Sequence, residues 1–115
     1  MKLFRSADKK VIVSQVLGSP ESFSEIKAGT TDAAQEKHVP VIERNGNKVK
    51  VKVGSVAHPM DEDHWITDIW LVQGNKTQLV KLNPGEAPEA EFDVEDGAVS
   101  VYEYCNKHGL WKAEG

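Results

Sequence analysis

A chain of 115 residues with 14 lysines and arginines against 18 aspartates and glutamates carries a formal net charge of −4 and no basic stripe, which excludes general nucleic-acid binding. At 39% hydrophobic residues it can bury a core as one compact domain, with no disulfide or metal required merely to fold. The single cysteine excludes an internal disulfide and fits a cytoplasmic setting, and no stretch has the apolar length of a membrane span or, after the basic "MKLFRSADKK", of a secretory signal.

In chain order, "KKVIVSQVLG" predicts a strand over 9–18, followed by the polar, turn-rich "SPESFSEIKAGTTDAAQ". "HVPVIERNGNKVKVKVGSVAHP" reads as two strands around the turn signal Asn45-Gly46. Within it "KVKVKV" alternates strictly, so Val49, Val51 and Val53 face a core and the lysines face water. "HWITDIWLVQ" is a third strand, broken at "GN", and "KTQLVKL" a fourth. "NPGEAPEAEF" is a loop entering a short edge segment, and "DGAVSVYEYC" is a turn and strand ending at Cys105. No sustained helical period appears. Short strands at turn-separated spacing predict an all-β sandwich or barrel.

Four histidines and the cysteine lie at the ends of these strands: His38 in "EKHVP", His58 and His64 in "AHPMDEDHW", Cys105 and His108 in "YCNKHGLW". Singly, each reads as a solvated or structural residue. Together they point to a metal, because a sandwich gathers its strand ends at two poles. Imidazole suits zinc, copper, iron and nickel, and a thiolate favours the softer or redox-active ones. Five donors exceed the four of a closed tetrahedral zinc site. A blue-copper site would carry a weak axial methionine after the C-x-x-H histidine, where this chain reads "GLWKAEG". A cupredoxin-like copper electron carrier therefore stands second.

The segments "EKHVPVIE", "GSVAHPMDEDHW", "LNPGEAPEAEF" and "YCNKHGLWKA" resemble the superoxide reductase family, the desulfoferrodoxins and neelaredoxins, over residues from about 30 to 114. The resemblance implies an immunoglobulin-like β-sandwich over 35–115 with one mononuclear non-haem iron per chain. It implies equatorial ligands His38, His58, His64 and His108, the axial thiolate of Cys105, and an open sixth position. The implied reaction is one-electron reduction of superoxide to hydrogen peroxide, with re-reduction by an external donor such as rubredoxin. By the same resemblance Lys37 attracts the anion and organises water for protonation, and Glu36 can take the sixth position in the oxidised state. Family members form homodimers and tetramers, and a homodimer is expected here.

Residues 1–34 resemble a desulforedoxin-like domain without its cysteines. Ser6 and Lys9 stand at its C-x-x-C pair, and Gly18 and Ser19 near its adjacent pair, so no tetracysteine iron can form. Backbone N–H groups of Lys107 and His108 can donate to the Cys105 sulfur. Asn106 reads as a turn residue, Trp65, Trp70 and Trp111 as core or site wall, and Asp61-Glu62-Asp63 as a solvated loop tip. The lysines of "KVKVKV" read as a wet face, with docking of an acidic electron donor as the lesser reading.

Overall fold

The computed structural model describes residues 1–14, 17–18 and 22–115. Its elements are β1 (Leu3–Ser6), β2 (Ile12–Val13), β3 (Phe23–Ile26), the one-turn helix α1 (Gln35–His38), β4 (Pro40–Asn45), β5 (Lys48–Val53), β6 (Ile66–Gln73), β7 (Lys76–Lys81), β8 (Glu89–Asp93), β9 (Ser100–Cys105) and β10 (Gly109–Glu114). Alternation in β5 buries Val49, Val51 and Val53 completely. They pack, with Ala90 and Phe92 of β8, against Ile69, Leu71, Val101 and Cys105 of β6 and β9. An antiparallel sheet ordered β4-β5-β8 thus faces an antiparallel sheet ordered β10-β9-β6-β7. This is the expected all-β sandwich, with the three-plus-four layering of an immunoglobulin-like domain.

The turn chemistry is that of glycine followed by asparagine. β4 and β5 pair up to Asn45 and Lys48, leaving Gly46-Asn47 as a two-residue loop with Gly46 at φ 62°. β6 and β7 pair up to Gln73 and Lys76 around Gly74-Asn75, with Gly74 at φ 58°. A glycine with positive φ at the first loop position matches hairpin twist. The first turn therefore sits one residue beyond the Asn45-Gly46 signal.

The outer face of the four-stranded sheet is also covered. Trp70, Tyr102, Tyr104 and Leu110 form a second core with Leu3, against which Ile12, Ile26 and Ala28 pack. Leu3, Ile12 and Ile26 belong to a third antiparallel sheet, ordered β2-β1-β3. Arg5 Nη1 donates to the Tyr104 hydroxyl at 3.0 Å, tying the layers together. β6 and β9 are accordingly buried on both faces, which is why "IWL" and "VYEYC" do not alternate.

At the β1–β2 turn, where the resemblance would put a cysteine pair, Ser6 Oγ donates to Asp8 Oδ1 at 2.6 Å. The same carboxylate accepts Lys10 N–H at 3.0 Å, and Val11 N–H donates to Ser6 Oγ at 3.1 Å. A hydroxyl–carboxylate network closes this turn. On β5, Lys48 pairs with Asp93, Lys50 with Glu89 at 3.3 Å and Lys52 with Glu43 at 3.6 Å. Exposed pairs add little stability, and each of these lysines meets an opposite charge across the sheet.

Three strands and a helical turn escape sequence periodicity. β1 and β3 have four residues each, too few to show a period, and β10 buries adjacent Leu110 and Trp111 on opposite faces. The strand expected over 9–18 is present at Ile12–Val13; residues 15, 16 and 19 lie outside the described residues. Among the described residues no helix is long and apolar enough to cross a membrane.

Leu3, 1% exposed, carries the packing of the N-terminal layer. Leu3→Ala should cost about 3 kcal/mol in urea denaturation, the typical loss for a buried leucine. A loss well under 1 kcal/mol would mean that the outer layer does not share the sandwich's stability.

Candidate metal centre

One pole of the sandwich collects the start of β4, the end of β5, the start of β6 and the β9–β10 hairpin. All five sequence-predicted ligands are there: His38 on α1, His58 and His64 on the β5–β6 loop, Cys105 at the end of β9 and His108 in the hairpin loop. One donor atom from each lies within 4.8 Å of all the others.

Local sequence explains each placement. Val39 precedes Pro40 and is extended at φ −67°, ψ 122°, so α1 stops directly after His38 and the chain turns into β4. Asp61 and His64 exchange backbone hydrogen bonds of 2.9 and 3.1 Å, folding the acidic tip into a tight turn and leaving Asp61, Glu62 and Asp63 exposed. β9 pairs Cys105 with Gly109, whose φ is 79°, so residues 106–108 form a three-residue hairpin loop.

The four imidazoles form a closed circuit. Ring centroids are 4.7 Å apart for His38–His58, 4.8 Å for His58–His64, 5.0 Å for His64–His108 and 4.9 Å for His108–His38, each pair close to perpendicular. His38 Nδ1–H donates to Ala34 O at 2.7 Å and His58 Nδ1–H to Pro59 O at 2.6 Å. Those bonds fix the tautomers, so both Nε2 atoms present lone pairs, and they face each other at 3.2 Å. His108 Nδ1 stands 3.1 Å from His38 Nε2 and 3.9 Å from Cys105 Sγ. His64 Nε2 is buried with no hydrogen-bond partner. Lone pairs turned toward a common point repel unless a cation sits among them, so this donor set fits a metal ion.

Burial lowers the basicity of His38, His58 and His64, most strongly at His58, which is pushed down to about 4. Their neighbours' positive charge lowers it further. The rings are therefore neutral, as ligands must be. Burial raises the Cys105 thiol, while backbone N–H groups of Lys107 and His108 pull it back down. Those are the donors expected from the sequence. Glu103, two residues earlier on the same face of β9, is fully buried with both oxygens unpartnered, and burial holds its carboxyl well above the usual range.

Glu36 and Lys37 are exposed on the turn that carries His38, and both charges act on that ring. Lys37 makes no ion pair among the described residues. The turn rests on Gly54: a Cβ there would strike Glu36 O and come within 2.9 Å of the Lys37 carbonyl carbon. Val56 N–H and Ser55 Oγ donate to Glu36 O at 3.0 and 3.3 Å, so residues 54–56 form a cradle for that backbone. Trp111 stacks on His38 at 5.0 Å and donates Nε1–H to His108 O at 3.0 Å, a site wall as expected.

Sequence reasoning missed Gly54 and Asn106. "GSVAHP" gives no sign that its glycine meets a strand-distant helical turn. Asn106, read as a turn residue, hydrogen-bonds both Asp63 and Trp65.

A family model described as desulfoferrodoxin matches residues 30–114. A desulfoferrodoxin of Nitratidesulfovibrio vulgaris is 57% identical over 89 residues, 77% of this chain and 71% of that protein. A protein of Pyrococcus horikoshii named superoxide reductase is 34% identical over 98 residues, covering 69% of this chain and 85% of that one. The crystal structure of the superoxide reductase from Treponema pallidum superposes with a TM-score of 0.80 at 37% identity, over 98% of this chain and 99% of that chain. It extends the likeness through the N-terminal layer, which the family model does not reach. With its ligand spacing, its sandwich and its histidine–cysteine cluster, this chain belongs to the desulfoferrodoxin family.

Proposed function

We propose that the chain is a superoxide reductase, converting superoxide to hydrogen peroxide at one iron held by His38, His58, His64, His108 and Cys105. The observation that carries this reading is the convergence of four imidazoles and one thiol at a single point. Imidazole nitrogens with a soft thiolate suit a redox-active metal. When bound, the iron supplies the single electron that superoxide takes up, and an external donor restores it. Two protons complete the product: O₂•⁻ + e⁻ + 2H⁺ → H₂O₂.

The chain's own residues do the rest. Lys37, exposed and without an ion pair among the described residues, gives an acidic protein a local positive charge that draws the anion in. Its ammonium also orders the water from which protons are drawn. Glu36, on the same turn, would offer a carboxylate to the metal held by these residues in its oxidised state. Cys105, buried and facing two backbone N–H donors, supplies thiolate electron density from the protein side. The copper alternative gains no support: Met60, inside the His58–His64 loop, accepts Ile66 N–H at 3.4 Å and packs against the core.

A rubredoxin-like donor, a homodimer and a cytoplasmic location complete the reading. The one free, buried cysteine accords with a reducing compartment. The N-terminal layer is read as a desulforedoxin-like unit that has lost its metal and kept its packing.

Protein purified without added metal should contain close to one iron per chain and show a thiolate-to-ferric absorption band when oxidised. One equivalent of copper with no iron would overturn the assignment. Cys105→Ser should abolish the band and depress superoxide consumption in the presence of a reductant; parental activity would remove the thiolate from the mechanism. Lys37→Ile should slow the reaction with superoxide by about 10-fold or more, with iron still bound, as followed by pulse radiolysis. An unchanged rate would exclude Lys37. Gly54→Ala forces the Glu36–Lys37 backbone away and should cost about 1–3 kcal/mol in urea denaturation together with superoxide rate. Parental values of both would show that the cradle has no role.

A further inference from the structure

The far ring nitrogens of His38 and His58 are anchored to Ala34 O and Pro59 O. His64 has no such ring anchor among the described residues, and its buried Nε2 meets no hydrogen-bond partner. Metal-binding imidazoles ordinarily depend on an outer partner to fix their orientation. At His64 the backbone does that work, and Asn106 holds the backbone. Trp65 N–H donates to Asn106 Oδ1 at 2.9 Å, Asn106 Nδ2 donates to Asp63 O at 3.0 Å, and Asn106 N–H donates to Trp65 O at 3.3 Å. Residues 63 and 65 flank His64, so one carboxamide brackets it on both sides. Asparagine alone among side chains of this length offers both the acceptor and the donor that the bracket uses.

Asn106 also sits between Cys105 and His108 in the hairpin loop. The bracket therefore joins the β5–β6 loop to the hairpin that carries two other ligands. We infer that Asn106 is a positioning residue, acting through His64 to hold it in register with Cys105 and His108. This rests on the ligand set proposed above. The bonds are exposed, so their contribution to folding is modest and their main effect falls on metal retention.

The test is a double-mutant cycle with Co²⁺ as the probe metal, read by the rate of its loss to a chelator and by the ligand-field spectrum. Asn106→Ala should speed Co²⁺ loss by about 10- to 100-fold and shift the spectrum toward lower coordination, with the thermal transition of the metal-free protein close to the parent's. Asn106→Asp, which keeps the acceptor for Trp65 N–H, should recover part of the retention. In a His64→Ala background, Asn106→Ala should have no further effect. An equal effect in both backgrounds, or parental retention in Asn106→Ala, would overturn the inference and leave the ligand set standing. If the parent protein takes up no Co²⁺, or His64→Ala retains it as the parent does, the ligand set itself fails.

Discussion

Strand β9 has no wet face. From Val101 to Cys105 every residue is buried, with Val101, Glu103 and Cys105 turned into the sandwich and Tyr102 and Tyr104 turned toward the N-terminal layer. Packing from both sides fixes where the strand ends, and Cys105 is its last residue. The hairpin that follows, the ring of His108 and the bracket of Asn106 all take their positions from that end. The remaining members of the cluster come from the turn before β4 and the β5–β6 loop at the same pole, so a rigid sheet sets the cluster and its connections supply it.

The site combines rigid donors with exposed charge. His38 and His58 are fixed in tautomer by backbone carbonyls and kept neutral by burial, while Glu36 and Lys37 on the adjoining turn remain in water. One turn of helix thus delivers a buried ligand and two solvated charges from successive residues. The cradle at Gly54 is what lets this turn approach β5 so closely, a demand made by backbone contact and unrelated to hairpin conformation.

How much of this could be read from the sequence follows from how locally each feature is encoded. The alternation of "KVKVKV", the break at Gly74-Asn75 and the spacing of His58 and His64 are properties of short windows and survive in the fold, while the Asn45-Gly46 signal marks its hairpin to within one residue. The five clustered side chains were legible because metal-donor chemistry of this kind draws on histidine and cysteine, of which the chain has four and one. β1, β3 and β10 were not, because four-residue strands carry no period and the adjacent Leu110 and Trp111 are both buried, one in the outer core and the other against His38. Gly54 and Asn106 depend on partners 17 to 43 residues away, and nothing in their own neighbourhoods marks them. The lysines of β5 look like a basic face in sequence and become ion pairs only when β4 and β8 are laid beside them.

The inventory of sulfur gives the fold a property of its own. The chain has one cysteine and two methionines. The cysteine is fully buried at the end of β9, and Met60 is partly buried against the core with its sulfur hydrogen-bonded to Ile66 N–H. Thiols are oxidised according to their exposure and thiolate character, and this surface presents none. A protein that generates peroxide within its own boundary thereby leaves the Met1 thioether as the exposed sulfur for that oxidant to reach.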